Sequence, residues 1–337
     1  MLSLFSSIYG KVTGLRNVLY EKGVFEVFDT RVRVISVGNI TAGGTGKTPL
    51  VAYIAGFLAE RGEKVCILTR GFGRLDPKKR VVVTDGERIL SDAEHAGDEP
   101  FELANKLLGR AIIIADADRV AAAKWAIRKF SVTVFLLDDG FQHRKIRRDL
   151  DIVCIDATDI FKDAKMLPAG RLREPLLGLQ RADAVVITRS NLVGNISNLR
   201  SEISELNAEI PVFAAANRIS SIVPLSEFSS TTQQKKTTIA GKKAFAFCGL
   251  GNPDNFFEQL RQEKVSVLGS KAFRDHHHYS EIDVLEIEEL ARDCTADILL
   301  TTAKDAVKLA SLKFSIPCFV VEIEMDLDDD HLFKSLL

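Results

Sequence analysis

The segment GNITAGGTGKTPL, residues 38–50, constrains the fold more than any other part of the chain. It stands between an apolar run, RVRVISVGN at 31–39, and a helix-patterned run, LVAYIAGFLAERG at 50–62. A glycine-rich turn from strand to helix is the setting of a phosphate-binding loop. Gly43, Gly44 and Gly46 let backbone N–H groups converge on phosphate oxygens, Lys47 reaches the β and γ phosphates, and the Thr48 hydroxyl holds Mg²⁺. The N-terminus of the following helix adds a favourable dipole for an anion. The usual spacing, G-x-x-x-x-G-K-S/T, wants glycine at position 41, where the chain has Thr41, so only the core GGTGKT is intact. The candidate nucleotide contacts are Thr41, Ala42, Gly43, Gly44, Thr45, Gly46, Lys47 and Thr48.

Strand-like and helix-like patterns alternate on both sides of this loop. Short, near-continuous apolar runs at 31–39, 64–73, 80–86, 111–118, 132–140, 150–157 and 182–189 alternate with helical runs at 50–62, 99–109 and 119–130. Such runs form a mainly parallel sheet covered on both faces. The expected fold is α/β, a P-loop NTPase-like doubly wound sheet. The polar, Ser/Thr-rich stretch 219–242 reads as an inter-domain connection, either irregular or a pair of extended strands, with a second, smaller α/β domain beyond it. That gives an N-terminal helix over 1–22, a core domain over 23–222 and a C-terminal domain over 223–337.

The run VTVFLLDDGFQ, 132–142, is an apolar strand ending in acid, the pattern whose carboxylate orders a nucleotide's metal. Asp138 and Asp139 are candidate Mg²⁺ ligands with Thr48; adjacent on an extended chain, they point to opposite sides and have different jobs. A nucleotide and Mg²⁺ do not by themselves separate a kinase from a switch. The loop also resembles that of nucleotide-switched ATPases of the ParA/MinD type, but Ala42 stands where those carry a signature lysine, and no guanine-reading N-K-x-D segment stands out.

Several segments are candidates for the acceptor side. In GDEP, 97–100, Asp98 is read equally well as a helix N-cap before Pro100 or as the group that takes a hydroxyl proton. FRDHHHYS, 273–280, holds three of the six histidines; consecutive residues rarely share one metal ion, so an orienting or catalytic histidine beside Asp275 fits better. Arg171 and Arg173, held between Pro168 and Pro175, are candidate phosphate contacts, as is Arg119 at the end of a strand.

Net charge is −1, from 45 basic and 46 acidic residues, so no global field collects nucleic acid. The five cysteines are dispersed, without a CxxC; four sit in apolar stretches and read as small core residues, which fits a reducing cytoplasm. Residues 1–22 place Leu4, Ile8, Leu15, Val18 and Leu19 on a broad apolar helical face that either rests in a membrane interface or packs on its own protein.

Taken in order, VGNITAGGTGKTP, LTRGFGR, GDEP, DDGFQHRKIRRDLDIVCID, LPAGRLREP, GLGNPDNFF, FRDHHHYS and TTAKDAVK strongly resemble the tetraacyldisaccharide 4′-kinases, the lipid A 4′-kinases of Gram-negative bacteria. The phosphate loop of that family begins at the residue found here as Thr41. The resemblance implies an ATP- and Mg²⁺-dependent enzyme that phosphorylates the 4′-hydroxyl of an acylated glucosamine disaccharide 1-phosphate lipid, giving lipid IV-A. It further implies two α/β domains around a cleft and peripheral attachment to the cytoplasmic face of the inner membrane through the N-terminal helix. No nucleic acid or protein partner is implied. Its catalytic acid and histidine map onto Asp98 and FRDHHHYS, here assigned to His276 with His277 as runner-up. Lys47 joins them as a catalytic group, and Gln142 joins Arg119, Arg171 and Arg173 as a substrate contact.

Overall fold

The computed structural model describes residues 2–159, 165–228 and 238–337. The chain opens with helix α1 (Leu2–Glu21), followed by β1 (Arg33–Asn39), α2 (Lys47–Glu60), β2 (Val65–Thr69), β3 (Val81–Thr84), the single turn α3 (Ala93–Ala96) and α4 (Asp98–Lys106). Next come β4 (Ala111–Ala115), α5 (Arg119–Phe130), β5 (Val134–Asp138), β6 (Leu150–Asp156), β7 (Ala184–Thr188), α6 (Ser197–Leu206) and β8 (Val212–Pro224). The chain ends with β9 (Ala244–Cys248), α7 (Pro253–Gln262), β10 (Val267–Ala272), α8 (Glu281–Asp293), β11 (Ile298–Thr302), α9 (Ala303–Leu309), β12 (Cys318–Leu327) and α10 (Asp330–Leu336).

All twelve strands join one sheet in the order β10-β9-β11-β12-β8-β7-β6-β1-β5-β2-β4-β3. Only β3–β4 and β8–β12 are antiparallel among the described pairs. The apolar runs are strands because both faces are covered: β2, β4, β5, β6 and β7 are buried along their whole length. Alternate residues serve opposite layers. Ile35 and Val37 pack with Leu50, Ile54 and Leu58 of α2, whereas Val34 packs with Ala122, Ala123 and Ala126 of α5. Beyond β8, Phe256, Phe257 and Leu260 of α7 cover one face of β9 and β11, and Ile287 and Ala291 of α8 cover the other. Cys66, Cys154, Cys248 and Cys318 are buried, Cys294 is half-buried, and none is paired.

The ribbon β8–β12 creates the cleft. β7 pairs with β8 only as far as Ala215, and β11 reaches it through Thr302, Val321 and Ile222. Strands on either side of the ribbon run in opposite directions, so the carboxyl ends of the two sets face each other along it. The stretch between Ala215 and Ile222, about 20 Å at ~3.3 Å per residue, is the floor between them. The expected polar connection is therefore corrected in part: residues 219–224 belong to β8, and the boundary set at 222/223 falls inside that strand. The remainder of that stretch over 229–237 lies outside the described residues. Strand β10 and helices α6 and α8 were not anticipated from the sequence.

Candidate active site

The phosphate loop leaves β1 and enters α2 through Gly46, whose φ of 72° lies in the left-handed region and which supplies no side-chain cap. The N–H groups at the start of α2 are left open towards an anion. The loop is held from outside by its carbonyls. Arg171 donates to the Ala42 carbonyl through Nε and Nη2 (3.0 and 2.8 Å), Arg189 to the Gly44 carbonyl (2.8 Å), and the Thr188 hydroxyl to the Thr45 carbonyl (2.9 Å). Asn39 Nδ2 donates to Thr45 Oγ1 at 2.9 Å. Arg171 and Arg189 are fixed in turn by Asp159 and Asp156.

Because β5 lies next to β1, with Val37 opposite Asp138, its acidic end comes beside the loop. Asp138 is 2% exposed and accepts from Thr69 Oγ1 at 3.0 Å. Burial, with Glu99 and Asp139 nearby, pushes its carboxyl up to about 6. Asp139 takes a left-handed φ of 51°, which turns its side chain away from that of Asp138. Both its oxygens accept from Arg173 Nη1 (3.0 and 2.9 Å), and Lys47 Nζ is 3.4 Å away. Burial opposes its ionisation, but Lys47 and Arg173 prevail and bring it to about 2. The two carboxylates thus differ: Asp139 is engaged by cations, while Asp138 forms no ion pair among the described residues.

The opposite wall comes from the second lobe. His276 Nδ1 lies 2.9 Å from Asp98 Oδ2, and Lys308 Nζ lies 2.8 Å from the same oxygen. Lys304 Nζ reaches Asp275 Oδ1 at 2.8 Å and lies 3.4 Å from His276 Nε2. The N-cap reading of Asp98 is corrected: Gly97 occupies that position, and Asp98 is the first residue of α4. His277 turns instead to Asp283 of α8 and stacks on Phe273. Asp139, Arg189 and His276 all have positive φ and all line the cleft, which fits the tendency of backbone strain to collect at functional sites. The cleft holds about 830 Å³ and is lined by the loop, Asp138, Asp139, Glu99, His276, Lys304 and, at one end, Tyr9, Thr13, Arg16 and Asn17 of α1.

Residues 1–337 match the profile of the LpxK family, described as tetraacyldisaccharide-1-P 4′-kinase. The chain belongs to the tetraacyldisaccharide 4′-kinase family. It is 39% identical to the tetraacyldisaccharide 4′-kinase of Halothermothrix orenii, over 97% of this chain and 88% of that one. It is 39% identical to that of Desulfotalea psychrophila, over 93% and 89%. A crystal structure of LpxK from Aquifex aeolicus in complex with ATP superposes with a TM-score of 0.77 at 34% identity, covering 98% of this chain and 96% of the other. The α/β P-loop fold expected from the sequence is thereby shown, and the choice between kinase and nucleotide-switched ATPase falls to the kinase.

Within this kinase the four candidate substrate contacts lie close to the nucleotide side. Arg119 is 4% exposed and donates to the Asp139 carbonyl at 3.0 Å. Gln142 donates to the Asn39 carbonyl and to Glu174, and Arg173 and Arg171 hold Asp139 and the loop as described. Sequence reading missed Asn39, Thr188, Arg189, Lys304 and Lys308. It also missed His143, which lines the cleft and whose imidazole is pushed down to about 3 by burial together with Arg119 and Arg148. The i, i+4 pair Lys304 and Lys308 was readable in TTAKDAVK, because that spacing puts both on one helix face; the others show no local signal.

The loop geometry gives a direct prediction. Gly43 has φ 116°, and a Cβ there would collide with the Arg171 guanidinium. In Gly43→Ala, left-handed strain of about 1–2 kcal/mol and displacement of Arg171 raise the KM for ATP about tenfold. Steady-state kinetics at varied ATP check this; an unchanged KM contradicts it.

Proposed function

We propose that the chain transfers the γ-phosphate of ATP to the 4′-hydroxyl of tetraacyldisaccharide 1-phosphate, giving lipid IV-A, while attached peripherally to the cytoplasmic face of the inner membrane. The observation that carries the proposal is that Lys47 and Asp98 of the first lobe meet His276 of the second around one cleft, with His276 Nδ1 2.9 Å from Asp98. The two lobes act as domains, with the β8–β12 ribbon as their link.

The backbone of residues 41–48 and Lys47 hold the triphosphate and neutralise charge on the phosphoryl oxygens. Asp98 takes the hydroxyl proton, and His276 orients it. In a loose transition state this proton leaves late, so positioning counts as much as basicity. The donor set fits a hard cation: the Thr48 hydroxyl and the buried Asp138 carboxylate, which has no ion-pair partner among the described residues, would hold it, with Asp139 beside them. Held by these residues, Mg²⁺ would supply positive charge against that of the phosphate oxygens. Asp139 itself keeps Lys47 and Arg173 in place. Arg119 and Arg173 brace Asp139, Arg171 braces the loop and Gln142 the Asn39 carbonyl, and their remaining donors are the ones offered to the acceptor. With ATP, Mg²⁺ and detergent-dispersed tetraacyldisaccharide 1-phosphate, ADP release is expected to depend on acceptor. Equal ADP release without acceptor contradicts the proposal.

An inverted helix supports the reading of membrane attachment. In α1 the polar side meets the protein: Ser6 Oγ accepts from the Ala169 N–H at 2.9 Å, Asn17 donates to Glu174, and Arg16 donates to the Gln142 carbonyl. Leu2, Leu4, Phe5, Ile8, Val12 and Leu15 are each more than half exposed. An amphipathic helix of a water-surrounded protein does the reverse. A lipid interface covers such a face, and no described helix is long and apolar enough to cross a membrane. The double variant Ile8→Asp, Leu15→Asp is expected to weaken co-sedimentation with phosphatidylethanolamine–phosphatidylglycerol vesicles at least tenfold, since each buried apolar side chain contributes ~1.5–3 kcal/mol. Its melting temperature is expected to stay put, because neither residue is in a core. Undiminished vesicle binding contradicts the reading.

A further inference from the structure

Asp98 opens α4 in the first lobe, and both side chains that touch its carboxylate come from the second. Besides His276 there is Lys308, on α9, which packs against α4. The Lys308 side chain is 6% exposed and that of Asp98 13%. Among the described residues Lys308 forms no other ion pair, and its ammonium makes no further hydrogen bond. A buried ammonium with one anionic partner is bound to that partner, because loss of either strands the other. One turn earlier on α9, Lys304 lies beside His276 Nε2. Nε2 also has Asp275 Oδ1 at 3.8 Å, so an ammonium and a carboxylate both face it, while Nδ1 faces Asp98.

We propose that Lys308 is a positioning residue for phosphotransfer: its ammonium, delivered from α9, fixes Asp98 against His276, so that the catalytic pair is complete only while the two lobes are docked. This rests on the reading of Asp98 as the group that takes the hydroxyl proton. Lys308 touches no part of the phosphate loop and acts through Asp98 alone.

The electrostatics agree. Burial raises the Asp98 carboxyl, but His276 and Lys308 outweigh it and hold it below the ordinary carboxylate value. The other charged groups around it are Glu99 and Glu102 on α4, Lys304 and Asp305 on α9, and Asp275; His95 of α3 is turned to Asp92. None of these pairs with Asp98. Removing Lys308 takes away one of the two groups that keep the carboxylate ionised, so Asp98 takes up its proton at higher pH.

The test is the pH dependence of kcat in Lys308→Met, a variant of similar length that keeps the buried stem. At neutral pH kcat falls about 10- to 100-fold, a share of the ~10²–10⁴-fold that a general base contributes. The KM for ATP is unchanged, and the acid limb of the profile moves to higher pH. Lys308→Arg keeps the charge and returns the acid limb to its wild-type position with part of the rate. An acid limb that stays in place in Lys308→Met, with turnover lost in Asp98→Asn, overturns the role of Lys308 alone. Full turnover in Asp98→Asn overturns the reading of Asp98 and this proposal with it.

Discussion

Lys47→Ala is expected to lower kcat/KM for phosphotransfer about 10³-fold, or ~4 kcal/mol of transition-state stabilisation. Lys47 is the first residue of α2, its side chain is 12% exposed, and it lines the cleft opposite the second lobe. No other lysine emerges from the loop. On the proposed mechanism its ammonium meets the phosphate oxygens on which charge accumulates, in a walled site where such contacts are worth more than in water. The fold survives the substitution, because Asp139 keeps both hydrogen bonds from Arg173 and α2 keeps Leu50, Ile54 and Leu58 in the core. Lys47→Arg is expected to fail nearly as badly, since a planar fork does not replace a compact charge on a flexible stem. Kinetics of both variants, with a thermal melt to confirm folding, check the claim. A loss smaller than tenfold contradicts it.

Asp98→Asn is the second large effect, a fall in kcat of ~10²–10⁴-fold with the KM for ATP unchanged. The amide keeps the shape of the carboxylate and removes its ability to take a proton. The pH sign follows from the lowered carboxyl. In the folded enzyme Asp98 stays ionised as pH falls past the ordinary aspartate value of ~3.9, and both its activity and its contribution to stability are lost only as pH falls through its own lower value. At neutral pH the variant therefore reports on chemistry and on Lys308, which is left buried against a neutral group. The double variant Asp98→Asn, Lys308→Met separates the two: the rate stays low, while the melting temperature recovers toward wild type.

Much of the nucleotide side was legible in the sequence because its signals are local. GGTGKT needs only a strand before it and a helix after it, and LLDDG needs only a strand that ends in acid. Different roles for Asp138 and Asp139 were expected from alternation along an extended chain, but β5 ends at Asp138 and Asp139 stands beyond it with a left-handed φ of 51°. The acceptor side was legible only in part. The residues Asp98 and His276 stand far apart in the chain, and their meeting depends on α4 docking against the second lobe, a tertiary fact without local periodicity. Arg171 was read as a substrate contact because a constrained loop between prolines suits one; its hydrogen bonds to Ala42 were invisible because they join segments about 130 residues apart. The long strand β8 was obscured where its outer half is polar: Arg218 and Ser221 pair with β12 at the cleft floor, and Ser220 between them falls at a register shift. In α1 the periodicity was plain, but which face met protein was not, since either face can be the buried one.

The central claim is that one cleft brings ATP and a lipid hydroxyl together between Lys47 and Asp98. It is tested most directly by following label from [γ-³²P]ATP in the presence of Mg²⁺ and detergent-dispersed tetraacyldisaccharide 1-phosphate, using wild type, Lys47→Ala and Asp98→Asn in parallel. Label in the lipid, on the 4′ oxygen, with wild type and almost none with either variant is the expected result. Label released as free phosphate by wild type, or lipid labelled equally well by Asp98→Asn, would contradict it.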